Sequence, residues 1–388
     1  MHISHLFLIL SRLVLAARPF LNEPDTGIET ALKIPTNGLL PGLDRMLGLP
    51  DFDYLARHTM NPTQYAYISH GAGSEASYRN NLEVFSRFRF RPRIMVNITN
   101  IDASLKTSIL GHEFDQPFFI SPFAQAGLTN KAAEGALVQG AGQHNVLYIS
   151  SQTTSIPMLN ISNSRTSPDQ VIWQQVSLMS LDDAPPSELF KSIEEAGMKA
   201  IILTVDSAAG RTAYRPIRSL PDTSISRNPR YTFMTWEYYK ELQTLTSLPI
   251  IPKGIQTVED ARMAIQAGAP AIFLSNHGGR SLDGSPSALE VAWEVYQEDP
   301  SIFSEIEVYA DGGVRYGTDV LKLLALGVRA VGLGRPFMYA NLYGSEGISR
   351  AIKLLEEEVT SAAANLGLAN IKDINSSYVK LLSTEWGS

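Results

Sequence analysis

The sequence predicts a (β/α)8 TIM barrel preceded by an N-terminal helical segment, and three observations carry that prediction. Eight apolar, β-branched runs recur between residues 117 and 336, amphipathic stretches of helical spacing lie between most of them, and polar residues collect at the C-terminal ends of successive runs. Continuous apolar strands alternating with helices call for a parallel sheet covered by helices. Eight such units favour closure into a barrel. An open doubly wound sheet is the alternative, but no Gly-x-Gly-x-x-Gly turn follows the first run, which makes a dinucleotide fold a poor match.

Taken in order, residues 1–17 read as a possible signal peptide, 18–50 as an arm rich in Pro, Gly, Asn and Thr, and 51–388 as one catalytic domain with its barrel starting near residue 116. Asp51 to Asn81 has a helical pattern, and Arg91 to Gly111 reads as short strands with a turn. The eight strand candidates are Pro117–Ala124, Val146–Gln152, Val171–Ser177, Ala200–Asp206, Pro249–Ile255, Ala271–His277, Glu307–Gly313 and Ala330–Pro336. Helices are expected at Pro186–Gly197, Thr257–Gly268, Pro286–Tyr296 and Gly317–Gly327, with a capping box at Thr257-Val-Glu-Asp and C-terminal glycines at 197, 268 and 327. The 210–247 segment exceeds an ordinary βα loop and is a lid candidate.

Composition narrows the function classes. A chain of 388 residues with 44% hydrophobic and 18% charged residues is globular with a large core. A net charge of −7, with Lys and Arg dispersed, argues against nucleic acid or a membrane surface as partner. The absence of cysteine excludes disulfides, thiolate metal sites and a cysteine nucleophile, and no metal site of another kind is read. Leu6 to Ala17 has the length and small-residue ending of a signal-peptide core, although only His2 and His5 precede it and Arg12 interrupts it. It is shorter than the roughly 20 residues of a membrane span. Secretion or residence in the ER lumen is the expectation, with a cytoplasmic location as the alternative. Sequons at Asn97, Asn160 and Asn375 are compatible with a glycoprotein.

Barrel chemistry sits at the C-terminal strand ends. There this chain places Ser150-Ser151-Gln152, Gln175 with Ser177, Thr204 with Asp206, Lys253, Asn276-His277 with Arg280, Asp311-Gly312-Gly313 with Arg315, and Gly334-Arg335. Packing alone does not explain so many in succession. The last two groups suit a phosphate, since glycines let backbone N–H groups approach an anion and arginines add charge. His277 is the candidate general base because imidazole titrates near neutrality. Asp206 is placed to orient its ring or else to cap a helix. Arg280 is suited to a substrate carboxylate, and a buried Lys253 requires an anionic partner.

These residues closely resemble the FMN-dependent 2-hydroxy-acid dehydrogenase and oxidase family, which includes glycolate oxidase, lactate oxidase and the flavin domain of flavocytochrome b2. The likeness runs from about Asp51 to the C-terminus. It is most specific in Phe85-Ser-Arg-Phe-Arg-Phe-Arg-Pro-Arg93, Ser247-Leu-Pro-Ile250, Lys253-Gly254, Ser275-Asn-His-Gly-Gly-Arg280, Asp311-Gly-Gly-Val-Arg315-Tyr-Gly-Thr-Asp319 and Gly334-Arg-Pro336. The resemblance implies FMN as cofactor, His277 as the base, and hydride equivalents passing to flavin N5. It implies that Lys253 stabilises negative charge on the reduced ring, that Ser150, Gln175 and Thr204 bond the ring edge, and that Asp311, Gly313, Arg315, Gly334 and Arg335 hold the ribityl phosphate. It implies Arg280 and Tyr67 as contacts to a small carboxylate substrate, and it leaves a homo-oligomer open.

The departures fall on the substrate side. Gln174-Gln175-Val176-Ser177 stands where the family has Phe-Gln-Leu-Tyr, so Ser177 replaces a substrate-contacting tyrosine. The Gly-Arg-Arg clamp becomes Gly210-Arg211-Thr212, leaving Arg211 or Arg215 as substitutes or the second clamp absent. Gln152 takes the place of a tryptophan found in some relatives, Ala132 that of a histidine, and Phe123 that of a small polar residue beside the flavin. The expected activity is oxidation of a 2-hydroxy acid or related carbinol, with a substrate other than simple glycolate or lactate. A repurposed FMN enzyme performing another oxidation, monooxygenation or isomerisation is the alternative. A degenerate flavin-binding module is disfavoured by the intact His277, Asp206, Lys253 and Arg280.

Overall fold

The computed structural model describes residues 26–34, 39–178, 185–210, 212–219 and 232–382. The possible signal peptide, Arg211 and most of the lid candidate lie outside the described residues. The eight barrel strands are β1 Phe118–Ile120, β2 Tyr148–Ser150, β3 Ile172–Val176, β4 Ile201–Thr204, β5 Ile250–Ile255, β6 Ala271–Leu274, β7 Glu307–Asp311 and β8 Ala330–Leu333. Each falls inside one predicted run. They close in chain order into a parallel barrel, with β8 paired to β1 through Val331 and Phe118.

Strand alternation divides the side chains between two cores. Phe119, Ile149, Trp173, Ile202, Ile251, Phe273, Tyr309 and Ala330 point inward and pack as the lumen, where Phe119, Phe273 and Tyr309 meet edge to face with ring centroids 5.5–6.2 Å apart. Their neighbours Ile120, Tyr148, Ile172, Leu203, Ile272, Val308 and Val331 face the surrounding helices.

The four predicted helices form as Pro186–Glu195, Val258–Gln266, Ala288–Glu298 and Gly317–Ala325. Thr257 caps its helix by accepting the Asp260 N–H at 3.1 Å. The reciprocal capping box forms one helix later, between Ser287 and Glu290. The predicted helical N-terminal segment resolves into Leu49–Thr59, Pro62–Ser69 and Ala76–Glu83. The strand reading of 91–111 needs correction. Residues 91–106 form no strand, and only Thr107–Ile109 is extended, paired with His112–Phe114. That hairpin plugs the barrel floor, placing Ile109 and Phe114 in the lumen core. No helix among the described residues is long and apolar enough to cross a membrane.

The aromatic lumen is the mechanical support of the barrel mouth. Phe119→Ala would leave a cavity between Phe273 and Tyr309, and such truncations cost about 3–5 kcal/mol. Urea unfolding of the variant is expected to show a loss of that size; a change below about 1 kcal/mol would mean the lumen repacks around the gap.

Candidate active site

The mouth of the barrel holds a cleft of about 260 Å³. Its lining follows from strand parity. Two residues beyond each lumen side chain, the chain again points inward, now toward solvent and with polar groups. Ile251 is followed by Lys253, Trp173 by Gln175 and Ser177, Ile202 by Thr204, Tyr309 by Asp311 and Gly313, and Phe273 by Ser275 and His277. All of these except Ser275 line the cleft, together with Tyr67, Arg280, Arg315, Gly334 and Arg335.

The same parity sets one sequence-based site residue apart from the cleft lining. Ser150 is an outward position next to Tyr148, fully buried, and its hydroxyl donates to the Ser151 carbonyl at 3.4 Å. The cleft wall is made instead by Ser151 and, farther out, Thr153. Ser121, inward on the first strand end, was also missed, although it sits two residues past Phe119.

At the centre of the cleft floor, the Lys253 ammonium is buried, 3.1 Å from Asp311 Oδ2, and donates to Ser275 Oγ at 2.8 Å. Ser275 donates to Asp311 Oδ1 at 2.6 Å and accepts the His277 N–H at 3.0 Å, while Ser121 donates to Asp311 Oδ2 at 2.9 Å. Asp311 therefore holds three inward groups at once. Removing one member of such a buried pair typically costs about 3–5 kcal/mol. Beside it, Gln175 donates to Thr204 Oγ1 at 2.9 Å and accepts from Ser151 Oγ and the Gln152 N–H.

The His277 ring meets Asp206 through Nδ1 at 2.9 Å, with the Asp206 side chain fully buried and the imidazole about a quarter exposed. A carboxylate at Nδ1 selects the tautomer with the proton there and leaves Nε2 as the basic nitrogen. His277, Gly278 and Gly279 are three successive left-handed residues, with φ of 60°, 66° and 76°. The turn lies hard against the N-terminal segment. A Cβ at Gly279 would stand 2.5 Å from the Tyr78 nitrogen. The glycines therefore admit a neighbouring helix as well as opening space.

That helix, Ala76–Glu83, fixes the turn through a buried amide pair. Asn81 Nδ2 donates to Asn276 Oδ1 at 2.8 Å, and Asn276 Nδ2 donates to Asn81 Oδ1 at 2.9 Å and to the Pro286 carbonyl at 2.9 Å. Asn276 Oδ1 also accepts the Gly279 N–H at 2.9 Å, so both donors and both lone pairs of its amide are in use. Asn81 also closes on the other loop, because a Cβ at Gly313 would lie 1.8 Å from its carbonyl oxygen. No signal in the sequence alone identified Asn81.

The arginines differ in how they are engaged. Arg335 donates to the carbonyls of Ile68, Gly278 and His70 at 2.7–3.1 Å, so it ties the N-terminal segment to the His277 turn and keeps at most two of its five N–H groups for a phosphate. Arg215 makes a two-pronged ion pair with buried Glu75, and although burial works against its charge, that carboxylate leaves its pKa above the ordinary arginine value. Its guanidinium is thus engaged by Glu75 and does not line the cleft. Arg211 lies outside the described residues. Arg280 lies over the rings of Tyr67 and Phe123. Gln152 turns its carbonyl to the Ser177 N–H at 2.6 Å, so two of the departing positions contact each other.

The cleft fits a phosphorylated flavin. Lys253, Arg280, Arg315 and Arg335 line it against Asp311, with Asp206 behind His277, giving a formal excess of two positive charges inside an acidic protein. Gly312, Gly313, Gly332 and Gly334 leave one end free of side chains, which suits an anion, while the Lys253, Gln175, Thr204 and Ser151 end offers hydrogen-bonding groups to a polar ring edge.

Comparison with known proteins agrees with this geometry. The family model of the FMN-dependent dehydrogenases matches residues 56–223 and 218–381. The chain is 34% identical over 384 residues to L-lactate dehydrogenase (cytochrome) of Saccharomyces cerevisiae, covering 92% of this chain but only 64% of that protein. It is 30% identical over 370 residues to human 2-hydroxyacid oxidase 1, covering 87% of this chain and 97% of the relative. The recombinant flavin-binding domain of baker's yeast flavocytochrome b2 superposes with a TM-score of 0.83 at 34% identity, covering 90% of each chain.

The amide pair makes a stability prediction independent of chemistry. Asn81→Leu removes one of the two partners at each end of the buried Asn276 amide, and the N–H and lone pair left over cost about 1–3 kcal/mol together. Thermal unfolding should fall accordingly, and limited proteolysis should open the 276–286 turn first. A variant as stable as the parent would show that Asn276 finds other partners.

Proposed function

This chain belongs to the FMN-dependent dehydrogenase family, and on that premise we propose that it oxidises the CH–OH group of a small 2-hydroxy acid or related substrate, with His277 as general base. The observation that carries the proposal is the His277–Asp206 pair at 2.9 Å beside a cleft with an excess of positive charge. Lys253, Gln175, Thr204 and Ser151 are the groups suited to the flavin ring, and Gly313, Gly334, Arg315 and Arg335 those suited to its phosphate. Bound FMN supplies the acceptor for the electron pair and hydrogen that leave the substrate carbon.

The protein's own part is binding and proton handling. Arg280 attracts the carboxylate and with it fixes the α-carbon. His277 Nε2 accepts the hydroxyl proton, and the imidazolium that results faces the Asp206 carboxylate, which balances its charge and holds the ring in place. Lys253 places a buried positive charge on the cleft floor, held by Asp311 and Ser275, where added negative charge on the acceptor would be stabilised.

On the substrate side, the commitment of Arg215 to Glu75 leaves Arg280 as the sole clamp placed in the cleft among the described residues. Losing a charge-assisted contact of that kind costs a few kcal/mol of binding. This supports a substrate other than glycolate or lactate, with the polar wall of Ser177 and Gln152 in place of larger aromatic groups. The same observation favours a second reading, in which the cleft performs a different FMN-dependent oxidation.

Secretion or ER residence, glycosylation at the sequons and a homo-oligomer also remain proposals. Mobility shifts after deglycosylation of the expressed protein and light scattering would test them, and an unmodified monomer would count against both.

Anaerobic addition of a hydroxy-acid panel to the yellow protein tests the main proposal. At least one acid should bleach the flavin, and His277→Asn should bind FMN normally yet slow that bleaching by about 10⁴-fold or more. Fast turnover of glycolate or lactate would overturn the substrate reading, and unimpaired bleaching in the variant would remove His277 as the base.

A further inference from the structure

Glu134 is a fully buried acid that the proposed chemistry does not use. It stands in the first turn of the helix Ala133–Gly142, behind the loop that follows β1. One of its oxygens, Oε1, accepts backbone N–H groups from two different loops. The Ala126 N–H, in the loop after β1, reaches it at 3.0 Å, and the Ser155 N–H, in the loop after β2, at 2.9 Å. Both lone pairs of that oxygen are thereby in use. The same two loops are laced together beside it. The Gln125 N–H donates to the Thr153 carbonyl at 2.9 Å, and the Gly127 N–H to Ser155 Oγ at 2.8 Å.

These loops carry one side of the cleft. Pro122, Phe123 and Ala124 line it from the first, and Ser151 and Thr153 from the second. The first loop also contains two left-handed residues that are not glycine, Gln125 at φ 58° and Ala133 at φ 50°. Such backbone persists only where its surroundings over-determine it. Gln125 immediately precedes Ala126, and Ala133 immediately precedes Glu134, so the strained positions flank the two ends of one hydrogen bond. In the second loop, Ser151 Oγ accepts the Thr153 N–H at 3.3 Å and donates to Gln175 Oε1 at 3.2 Å. A shift of that loop at Ser155 therefore reaches Ser151 and the Gln175 amide.

We propose that Glu134 is a positioning residue for the flavin. By holding the Ala126 and Ser155 N–H groups on a single oxygen, it sets the spacing of the two loops and so the shape of the cleft wall at the Ser151 end. That end offers its hydrogen-bonding groups to the edge of the ring. Glu134 acts through the loops and not by contact, since it is buried behind them. The inference rests on the reading of this cleft as the flavin site.

The test compares Glu134→Gln with Glu134→Leu in the full-length protein. Gln keeps an oxygen that can accept both N–H groups, whereas Leu, of similar size, keeps none. Two readouts follow the flavin itself: the Kd for FMN from fluorescence quenching on titration, and the visible circular dichroism of the bound ring, which reports the asymmetry of its surroundings. The Leu variant should bind FMN about 10-fold more weakly, with altered dichroism, and the Gln variant should stay within about twofold of the parent, because only Leu orphans the two N–H groups. Glu134→Asp, one methylene shorter, cannot hold both N–H groups in place and should fall between them; it carries the test if the Leu variant does not fold. Parental Kd and dichroism in the Leu variant, or in the Asp variant where Leu does not fold, would overturn the proposal even if the melting temperature fell. Gln175→Leu is the control for the cleft and should itself alter the dichroism. If it also leaves the flavin signals unchanged, the cleft reading fails and takes this inference with it.

Discussion

The two-residue repeat of the β-strand is the constraint from which the rest of this protein follows. Inside a closed barrel, every second side chain of eight strands must fill one lumen, and here Phe119, Trp173, Phe273 and Tyr309 do so by edge-to-face packing. The register that buries these rings also determines which residues project into the mouth one step later. A slip by one residue would expose the aromatic lumen and withdraw Lys253, Gln175, Thr204 and Asp311 from the cleft together. Stability and site composition are thus set by one choice of register. The core is the foundation of the chemistry above it.

The barrel alone does not complete the site. The turn that carries His277 runs through three consecutive left-handed residues, and backbone of that kind persists only where its surroundings over-determine it. The surroundings come from residues that precede the first barrel strand. Asn81 closes the amide pair with Asn276, Arg335 bonds the carbonyls of Ile68 and His70 as well as that of Gly278, and Asp283 accepts from Ser74 and Ser77. Tyr67 and His70 then hold Arg280. The N-terminal helices therefore brace the turn from behind and lend Tyr67 to the cleft lining, with Asn81 reaching Asn276 from chain 195 residues away in sequence.

Much of this was legible in the sequence. The strand runs are continuous and β-branched because both faces of each strand are buried, so all eight could be located, and polar residues at their C-terminal ends marked the cleft. What resisted reading has definite physical causes. Ser150 and Ser151 are chemically identical neighbours, and only the inward register of Ile149 distinguishes them; counting in twos from the lumen residue would have chosen Ser151. The partners of Arg215 and Arg335 depend on long-range contacts with residues 68–75, which carry no local signal. Residues 91–106 include several β-branched residues but pair with no strand among the described residues, so strand propensity there is overridden. Asn81 resembles any surface asparagine of a helix until the turn at 276–279 is packed against it.

The departures from the family pattern also acquire a coherent physical meaning. Where an aromatic side chain and a second arginine would be expected, this chain has Ser177 linked to Gln152, and an arginine held by Glu75. Where a small residue would be expected it has Phe123, whose ring lies beneath the Arg280 guanidinium. The groups suited to the cofactor keep the family's residue types, while the departures gather at the substrate side of the cleft.

The most direct test of the account is a crystal structure of the FMN complex. The flavin ring should lie along Lys253, Gln175, Thr204 and Ser151, with the phosphate at Gly313 and Gly334 and the His277 Nε2 facing open cleft. A ring bound elsewhere, or one contacted by the Ser150 hydroxyl with Ser151 turned away, would contradict the parity argument on which the site assignment stands.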